Sequence, residues 1–242
     1  MEMTAPRLDG RLAACAKWVR EGSVLADIGT DHAYLPAALA AQGKIRSAVA
    51  SDIGSGPCEN ARQTVEAAGL GDMITVVQAD GLSGIEKYRP DDIVIAGMGG
   101  ETIIDILSAA EWLTPGMRLI LQPMTRQAEL WRYLAGSGYT LTASDLASAN
   151  APRSSGKNNG KIYEIIVCSP GGQRWSLSDA EAFLRLRKCA APAELRRLHA
   201  EKTLRYLGEM INGIKSGGDP DLEKARRLEE IEREITASLA DI

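Results

Sequence analysis

Short apolar runs alternate with helix-patterned stretches from residue 8 to residue 169, and this alternation limits the possible folds more than any other feature of the chain. "SVLADIG" (23–29), "IRSAVASD" (45–52), "MITVVQAD" (73–80), "DDIVIAGMGG" (91–100) and "MRLILQP" (117–123) each read as a strand. Residues 8–20, 34–42, 56–68, 101–110 and 126–136 read as helices; in the first, Leu8, Leu12, Cys15, Ala16 and Val19 share one face. Further strands at 138–147 and 161–169 close the series. Strand and helix alternating so regularly predict an α/β fold, with a parallel sheet covered on both faces. In such sheets the ligand lies beyond the carboxyl ends of the strands. The residues there are Asp27–His32, Asp52, Asp80–Gly81, Gly97–Gly100 and Gln122–Pro123.

The pattern changes near residue 170. "SPGGQRWS" (169–176) reads as a turn-rich linker, and "SDAE" (178–181) as a capping box. Beyond it the chain is helix-patterned. Leu204, Leu207, Ile211 and Ile214 form one apolar stripe; Leu228, Ile231, Ile235 and Leu239 form another. Between them, "SGGDP" (216–220) offers glycines to end one helix, Asp219 to cap the next and Pro220 to begin it. This predicts a first domain over 1–169 and a coiled-coil-like helical hairpin over 170–242.

The loop "DIGTDHAYLP" (27–36) selects among cofactors. Dinucleotides need G-x-G-x-x-G so that the backbone can approach a pyrophosphate. Here the comparable positions hold Gly29, Asp31 and Tyr34, and the carboxylate of Asp31 would repel a pyrophosphate. S-adenosylmethionine carries a sulfonium and an ammonium, which Asp27 and Asp31 can attract. Asp52 stands 52 − 29 = 23 residues beyond Gly29, where an acid can accept from both ribose hydroxyls. Asp80 can accept from the adenine amino group. Each acid alone also fits a turn or a helix cap; several of them at successive strand ends favour a site.

"ADIGTDHAYLP", "AGMGGETI" and "LILQP" together resemble the TrmK family of bacterial tRNA adenine(22)-N1-methyltransferases, in motif order from about Leu8 to Val167. The resemblance implies a Rossmann-like S-adenosylmethionine-dependent methyltransferase domain, followed by a small helical, coiled-coil-like one. It implies cofactor contacts from Asp27, Gly29, Thr30, Asp31, His32, Asp52, Ile53, Asp80, Gly81, Gly97, Met98 and Gly99, and makes Asp31 and His32 the catalytic candidates. Many members read L-Q-P-N; here Met124 follows Pro123.

Methyl transfer from a sulfonium is an in-line displacement, in which positioning carries much of the catalysis. Adenine N1 needs no strong base, and its methylated product is a cation that nearby carboxylates or carbonyls stabilise. His32 reads as either functional or structural, and His199, among Arg196, Arg197 and Lys202, as a surface residue. Tyr34 and Tyr163 read as inward residues or as stacking platforms for a base. The net charge of −4 excludes RNA held by overall charge, but not by a local patch. Residues 185–205 carry Arg185, Arg187, Lys188, Arg196, Arg197, Lys202 and Arg205 against Glu194 and Glu201, and "NAPRSSGKNNGK" (150–161) adds Arg153, Lys157 and Lys161. Solvated helix faces often carry such charge; with the resemblance, Arg153, Lys157, Lys161, Arg196 and Arg197 become the tRNA contacts.

Four separated cysteines offer no metal or redox pair. No apolar run reaches a membrane span and the N-terminus has no signal core, so a cytoplasmic protein with no obligate protein partner is expected. A methyltransferase for a small molecule or a protein, and a non-catalytic interaction module, remain as alternatives.

Overall fold

A computed structural model of the chain describes residues 6–148, 160–217 and 221–239. Seven strands form one sheet: β1 (Ser23–Ile28), β2 (Ile45–Asp52), β3 (Ile74–Gln78), β4 (Asp92–Gly99), β5 (Arg118–Thr125), β6 (Thr140–Ser148) and β7 (Ile162–Ser169). Their order is β3-β2-β1-β4-β5-β7-β6. β1 to β5 pair in parallel. β7 runs antiparallel between β5 and β6, so the sheet is mixed rather than parallel throughout. A parallel neighbour needs a crossover, usually a helix. The connection before β7 is polar and glycine-rich without apolar periodicity, and the chain turns back instead.

The inner strands β1, β4, β5 and β7 are buried on both faces over half their length or more, which demands apolar runs, whereas edge strand β3 buries only Ile74. In β5, Ile120 faces one core cluster while Leu119 and Leu121 face the other. The first cluster packs under α1 (Gly10–Trp18), α2 (Tyr34–Ala41) and α3 (Ser55–Ala67). The second packs under α4 (Gly100–Ser108) and α5 (Gln127–Gly136), with Ile103, Leu107, Leu130 and Trp131 at its centre.

Three helices follow: α6 (Asp179–Leu184), α7 (Ala193–Lys215) and α8 (Leu222–Ser238). Both halves of the capping box form at α6: Glu181 N–H donates to Ser178 Oγ at 3.1 Å, and Ser178 N–H to Glu181 Oε2 at 3.0 Å. Leu207 and Ile211 of α7 meet Leu228, Ile231 and Ile235 of α8, with Ala180 of α6 closing the cluster. Gly208 lies against Glu232 and Lys215 against Glu229, so α7 and α8 are antiparallel. The cap of α8 is Asp221, which accepts from Lys224 N–H at 2.9 Å. That corrects the expected start at Pro220 with Asp219 as cap; both lie outside the described residues.

The turn-rich segment after β7 is held to the sheet rather than free. Trp175 Nε1 donates to Tyr139 O at 2.8 Å, and its ring meets Trp131 edge-on at 6.3 Å between centroids. Ala190 N–H donates to Ser144 O of β6 at 2.8 Å, which ties the start of the helical unit to the sheet edge.

Candidate active site

The loop after β1 is fixed from both sides. Gly29 N–H and Thr30 N–H both donate to Ser51 O of β2, at 2.8 and 2.9 Å. Gly29 has φ +73°, and a side chain there would run into the end of Met98 from β4. The left-handed region costs an L-residue about 1–2 kcal/mol, so the position calls for glycine. Thr30 Oγ1 accepts from Ala33 N–H at 2.9 Å and bonds the Asp27 carboxylate. Ala33 is fully buried with φ +51°, and α2 begins beside it with no side-chain cap. Unusual backbone held this firmly clusters at functional sites.

Two cavities open at the carboxyl ends of the strands. The larger, about 730 Å³, is lined by Gly29, Asp52, Ile53, Asp80, Gly81 and Met98 together with Thr102, Asp105, Ile106 and Trp112. The smaller, about 230 Å³, is lined by Asp27, Gly29, Thr30, Asp31 and His32 together with Asp9 and Arg11. Gly29 borders both, so the ends of β1, β2 and β3 meet Met98 of β4 in one region, while Gln122 and Pro123 of β5 line neither cavity. Gly97 and Gly99 line neither cavity. Gly97, at φ +85°, lies under the Arg11 guanidinium, and Gly99 caps α4 beside Thr125.

Asp52 serves as a turn former and leaves an oxygen over. Its Oδ1 accepts from Gly54 N–H at 2.7 Å, where the chain turns into α3. Oδ2 accepts no hydrogen bond from the described residues. Asp80 is exposed on the rim, and Ile53 is 65% exposed beside it. An exposed isoleucine next to two acids suits a ligand with an apolar ring and polar edges.

Asp27 is the buried charge of the smaller cavity. Burial pushes its carboxyl up to about 6, against the opposing pull of the Thr30 hydroxyl and Arg11. Arg11 reaches over from α1 and donates to Gln122 Oε1 at 3.3 Å. Asp31 is outward, 3.3 Å from His32 Nε2. The His32 ring stacks on Tyr34, with centroids 4.9 Å apart and planes 9° from parallel. Tyr34 is 41% exposed, so the inward reading of that residue is corrected: α2 turns its first side chain toward solvent and the histidine.

Sequence reasoning missed Arg11 and the lining face of α4. Thr102, Asp105, Ile106 and Ala109 recur at helical spacing on the face beside the core residues Ile103, Leu107 and Ala110, with Ile106 touching both core and cavity. That second stripe was the available signal. For Arg11 the signal was a cation in the first turn of a largely apolar helix, away from the Lys17 at its end.

The basic candidates divide sharply. Arg153 and Lys157 lie outside the described residues. Lys161 is exposed, with its ammonium 5.3 Å from the Tyr163 ring centre. Tyr163 itself is half-buried against the first core cluster. Arg197 and Arg205 are exposed on α7, and Arg196 donates to Ala191 O at 3.0 Å. The others hold the fold together. Arg185 pairs with Glu164 at 2.7 Å, Arg187 with Glu181 at 2.7 Å, Lys188 donates to Leu141 O at 2.7 Å, and Lys202 donates to Gly160 O. His199 is buried, 3.0 Å from Leu184 O, which corrects its reading as a surface residue. The helical unit packs Arg185 and His199 against Glu164 of β7. Among the described residues no helix is long and apolar enough to cross a membrane.

The sheet order, the acid-rich ends of β1 and β2 and the glycine-bearing end of β4 define a methyltransferase, and residues 8–166 match the family model of a methyltransferase domain. The chain is 38% identical over 170 residues to the tRNA (adenine(22)-N(1))-methyltransferase of Bacillus subtilis (strain 168), which covers 70% of this chain and 68% of that one. Its structure is similar to that of the B. subtilis m1A22 tRNA methyltransferase TrmK, with a TM-score of 0.76, 30% identity and 95% and 98% of the two chains covered. It is also similar to Streptococcus pneumoniae Sp1610 in complex with S-adenosyl-L-methionine, with a TM-score of 0.77, 30% identity and 96% and 100% covered. The chain belongs to the TrmK family of methyltransferases.

Proposed function

We propose that the chain transfers a methyl group from S-adenosylmethionine to N1 of an adenine in tRNA, at position 22 as its B. subtilis relative is named. The observation that carries this reading is the convergence at Gly29 of two cavities, one bordered by Asp52 and Asp80 and the other by Asp27 and Asp31. When bound, S-adenosylmethionine supplies an electrophilic methyl group on a sulfonium. Asp52 Oδ2 accepts from the ribose, Asp80 accepts from the adenine amino group, and Ile53 and Ile106 give that adenine its apolar walls. Asp27 and Asp31 attract the cationic methionine end, while Gly29, Thr30 and Gly81 allow close backbone approach and Met98 at the end of β4 forms a wall.

The target N1 attacks with its own lone pair, so no residue must remove a proton first. Positive charge then grows on the base, and the Asp31 carboxylate beside His32 stabilises it. The His32–Tyr34 ring pair offers a face on which the target base can stack. N1 lies on the pairing edge, so a paired adenine must leave its helix first. Residues 1–169 carry the cofactor chemistry. Lys161, Arg196 and Arg197, with Arg153 and Lys157, hold tRNA phosphates, and the cytoplasm is where that substrate is met.

The test is mass spectrometry of nucleosides from tRNA incubated with the protein and S-adenosylmethionine. The expected product is 1-methyladenosine at one position. A protein that binds the cofactor and leaves tRNA unmethylated overturns the reading.

A further inference from the structure

The face of α7 that packs on α8 carries Leu204, Leu207, Ile211 and Ile214. A second stripe runs beside it on the same helix: His199, Lys202, Thr203 and Tyr206 recur at helical spacing, and Met210 borders both the stripe and the packed face. They line a third cavity, about 550 Å³, whose other walls are the start of α5, the start of β7, and Phe183 and Arg185 at the end of α6. That volume falls within the roughly 300–1,000 Å³ of sites that hold a small molecule.

Its position follows from the topology. Because β7 is antiparallel to β5, its first residues stand at the carboxyl end of β5. The cavity therefore opens on the same edge of the sheet as the methyl-donor region. Arg126 ties this cavity to α4, the helix whose next turn lines the larger donor cavity: its guanidinium lies 3.5 Å from Glu101, and it lines the third cavity.

The chemistry of the lining is that of a nucleotide site. Tyr206 is 56% exposed, an aromatic face with nothing packed over most of it. Lys161 and Lys202 pair with no carboxylate among the described residues; one lies beside the Tyr163 ring and the other on Gly160 O. Glu164, also in the lining, is buried and keeps Oε2 without a hydrogen-bond partner. Such an oxygen is costly unless a donor reaches it.

We infer that this cleft between the sheet and the helical hairpin holds an unstacked nucleotide of the tRNA next to the target adenosine, with its base on Tyr206 and its phosphate on Lys161 and Lys202. The inference rests on the tRNA reading above. A base that turns an N–H toward the cleft, amino or imino, supplies the donor that Glu164 lacks. Splaying one neighbour into this cleft also frees the target base to leave the stack toward the donor site.

The experiment is steady-state methylation of tRNA at saturating S-adenosylmethionine, over a salt series, by the full chain and three variants. Tyr206→Ala is expected to raise KM for tRNA roughly five- to hundred-fold, the range set by one base–aromatic stack, with a much smaller fall in kcat and no change in salt slope. Tyr206→Phe keeps the ring and should stay near wild type. Lys161→Ala should raise KM and flatten the salt slope by about one. Wild-type affinity for S-adenosylmethionine in each variant, by calorimetry, shows that none is misfolded. Wild-type KM in both alanine variants overturns the cleft assignment while leaving the tRNA reading intact, and so does a Phe variant as impaired as Ala. No methylation by the wild-type chain sinks the tRNA reading and the cleft assignment with it.

Discussion

Arg11 Nη1 donates to Gln122 Oε1 at 3.3 Å, joining a helix that precedes the sheet to the end of its fifth strand. The same guanidinium covers Gly97 and favours the charged form of Asp27. One side chain thus closes the smaller cavity and keeps a buried carboxylate usable as an anion. Its folded-state value of about 6 still lies above the ordinary 3.8, because burial outweighs Arg11 and Thr30 together.

Cofactor affinity should therefore rise with pH through about 6 as Asp27 ionises, and level off above that. The sign for stability is opposite. Between about 4 and 6 the folded state binds the proton that the unfolded state has lost, so raising pH across that window removes stability. Asp27→Asn should weaken binding, remove its pH dependence and abolish that loss of stability. Arg11→Met should shift the binding midpoint upward. Calorimetry across pH 5 to 8 measures the binding (roughly the range over which a carboxyl raised this far titrates), and an unmoved midpoint in Arg11→Met would mean that the cation does not reach Asp27.

Asp52 separates into two roles by oxygen atom. Asp52→Asn keeps an acceptor for Gly54 N–H but loses the charge offered to the ribose. It should unfold at the wild-type temperature and bind S-adenosylmethionine roughly ten- to hundred-fold more weakly, the cost of weakened charge-assisted hydrogen bonds. Asp52→Ala should lose stability as well. NAD should bind neither form. Equal cofactor affinity in wild type and the Asn variant would confine Asp52 to the turn.

Asp31 and His32 are outward, with side chains 71% and 39% exposed. Substitution at such positions costs about 0.5 kcal/mol or less when the role is structural. Asp31→Ala and His32→Ala should therefore keep wild-type thermal midpoints while kcat falls about hundred-fold, as for a group that stabilises developing charge. Full turnover in both variants would make the ring pair and its carboxylate incidental.

Glu164 is buried and paired with Arg185 at 2.7 Å, with His199 3.8 Å away. Burial holds His199 below its ordinary value. Its contribution to stability is present above the unfolded value near 6.5 and is lost as pH falls below it. Arg185→Met leaves Glu164 uncompensated and should cost about 3–5 kcal/mol in urea unfolding. Arg185→Met with Glu164→Gln should recover part of that. If the double variant is no more stable than the single one, the pair is not the source of the loss.

The strand ends were legible because a strand buried on both faces must be apolar, so a carboxylate at its end stands out. Asp52 and Asp80 were readable for that reason, and so was the loop from Asp27 to His32. The direction of β7 was not, since an apolar run looks the same in either sense. Arg11 belongs to a helix whose apolar face gives its place in the core but not what its polar face reaches over. The basic segment at 185–205 misled in a different way. Counting charge along the chain cannot show that Arg185, Arg187, Lys188 and Lys202 turn inward to Glu164, Glu181 and backbone carbonyls.

That inward turn also decides how RNA binding by the helical unit must be tested. Truncation after Ser169 would strip Trp175 from Trp131 and Arg185 from Glu164, and would damage the sheet domain itself. Charge reversal on the exposed face of α7 avoids this, because Arg197 and Arg205 both face solvent. Arg197→Glu with Arg205→Glu should leave the thermal midpoint and S-adenosylmethionine affinity unchanged. Affinity for tRNA should fall, and the slope of log affinity against log salt should flatten by about two, one for each phosphate no longer neutralised. Filter binding over a salt series on the full chain measures both quantities. An unchanged slope would assign this face of α7 to solvent, and leave the cleft beneath Tyr206 and the loop bearing Lys161 as the places where the phosphates are held.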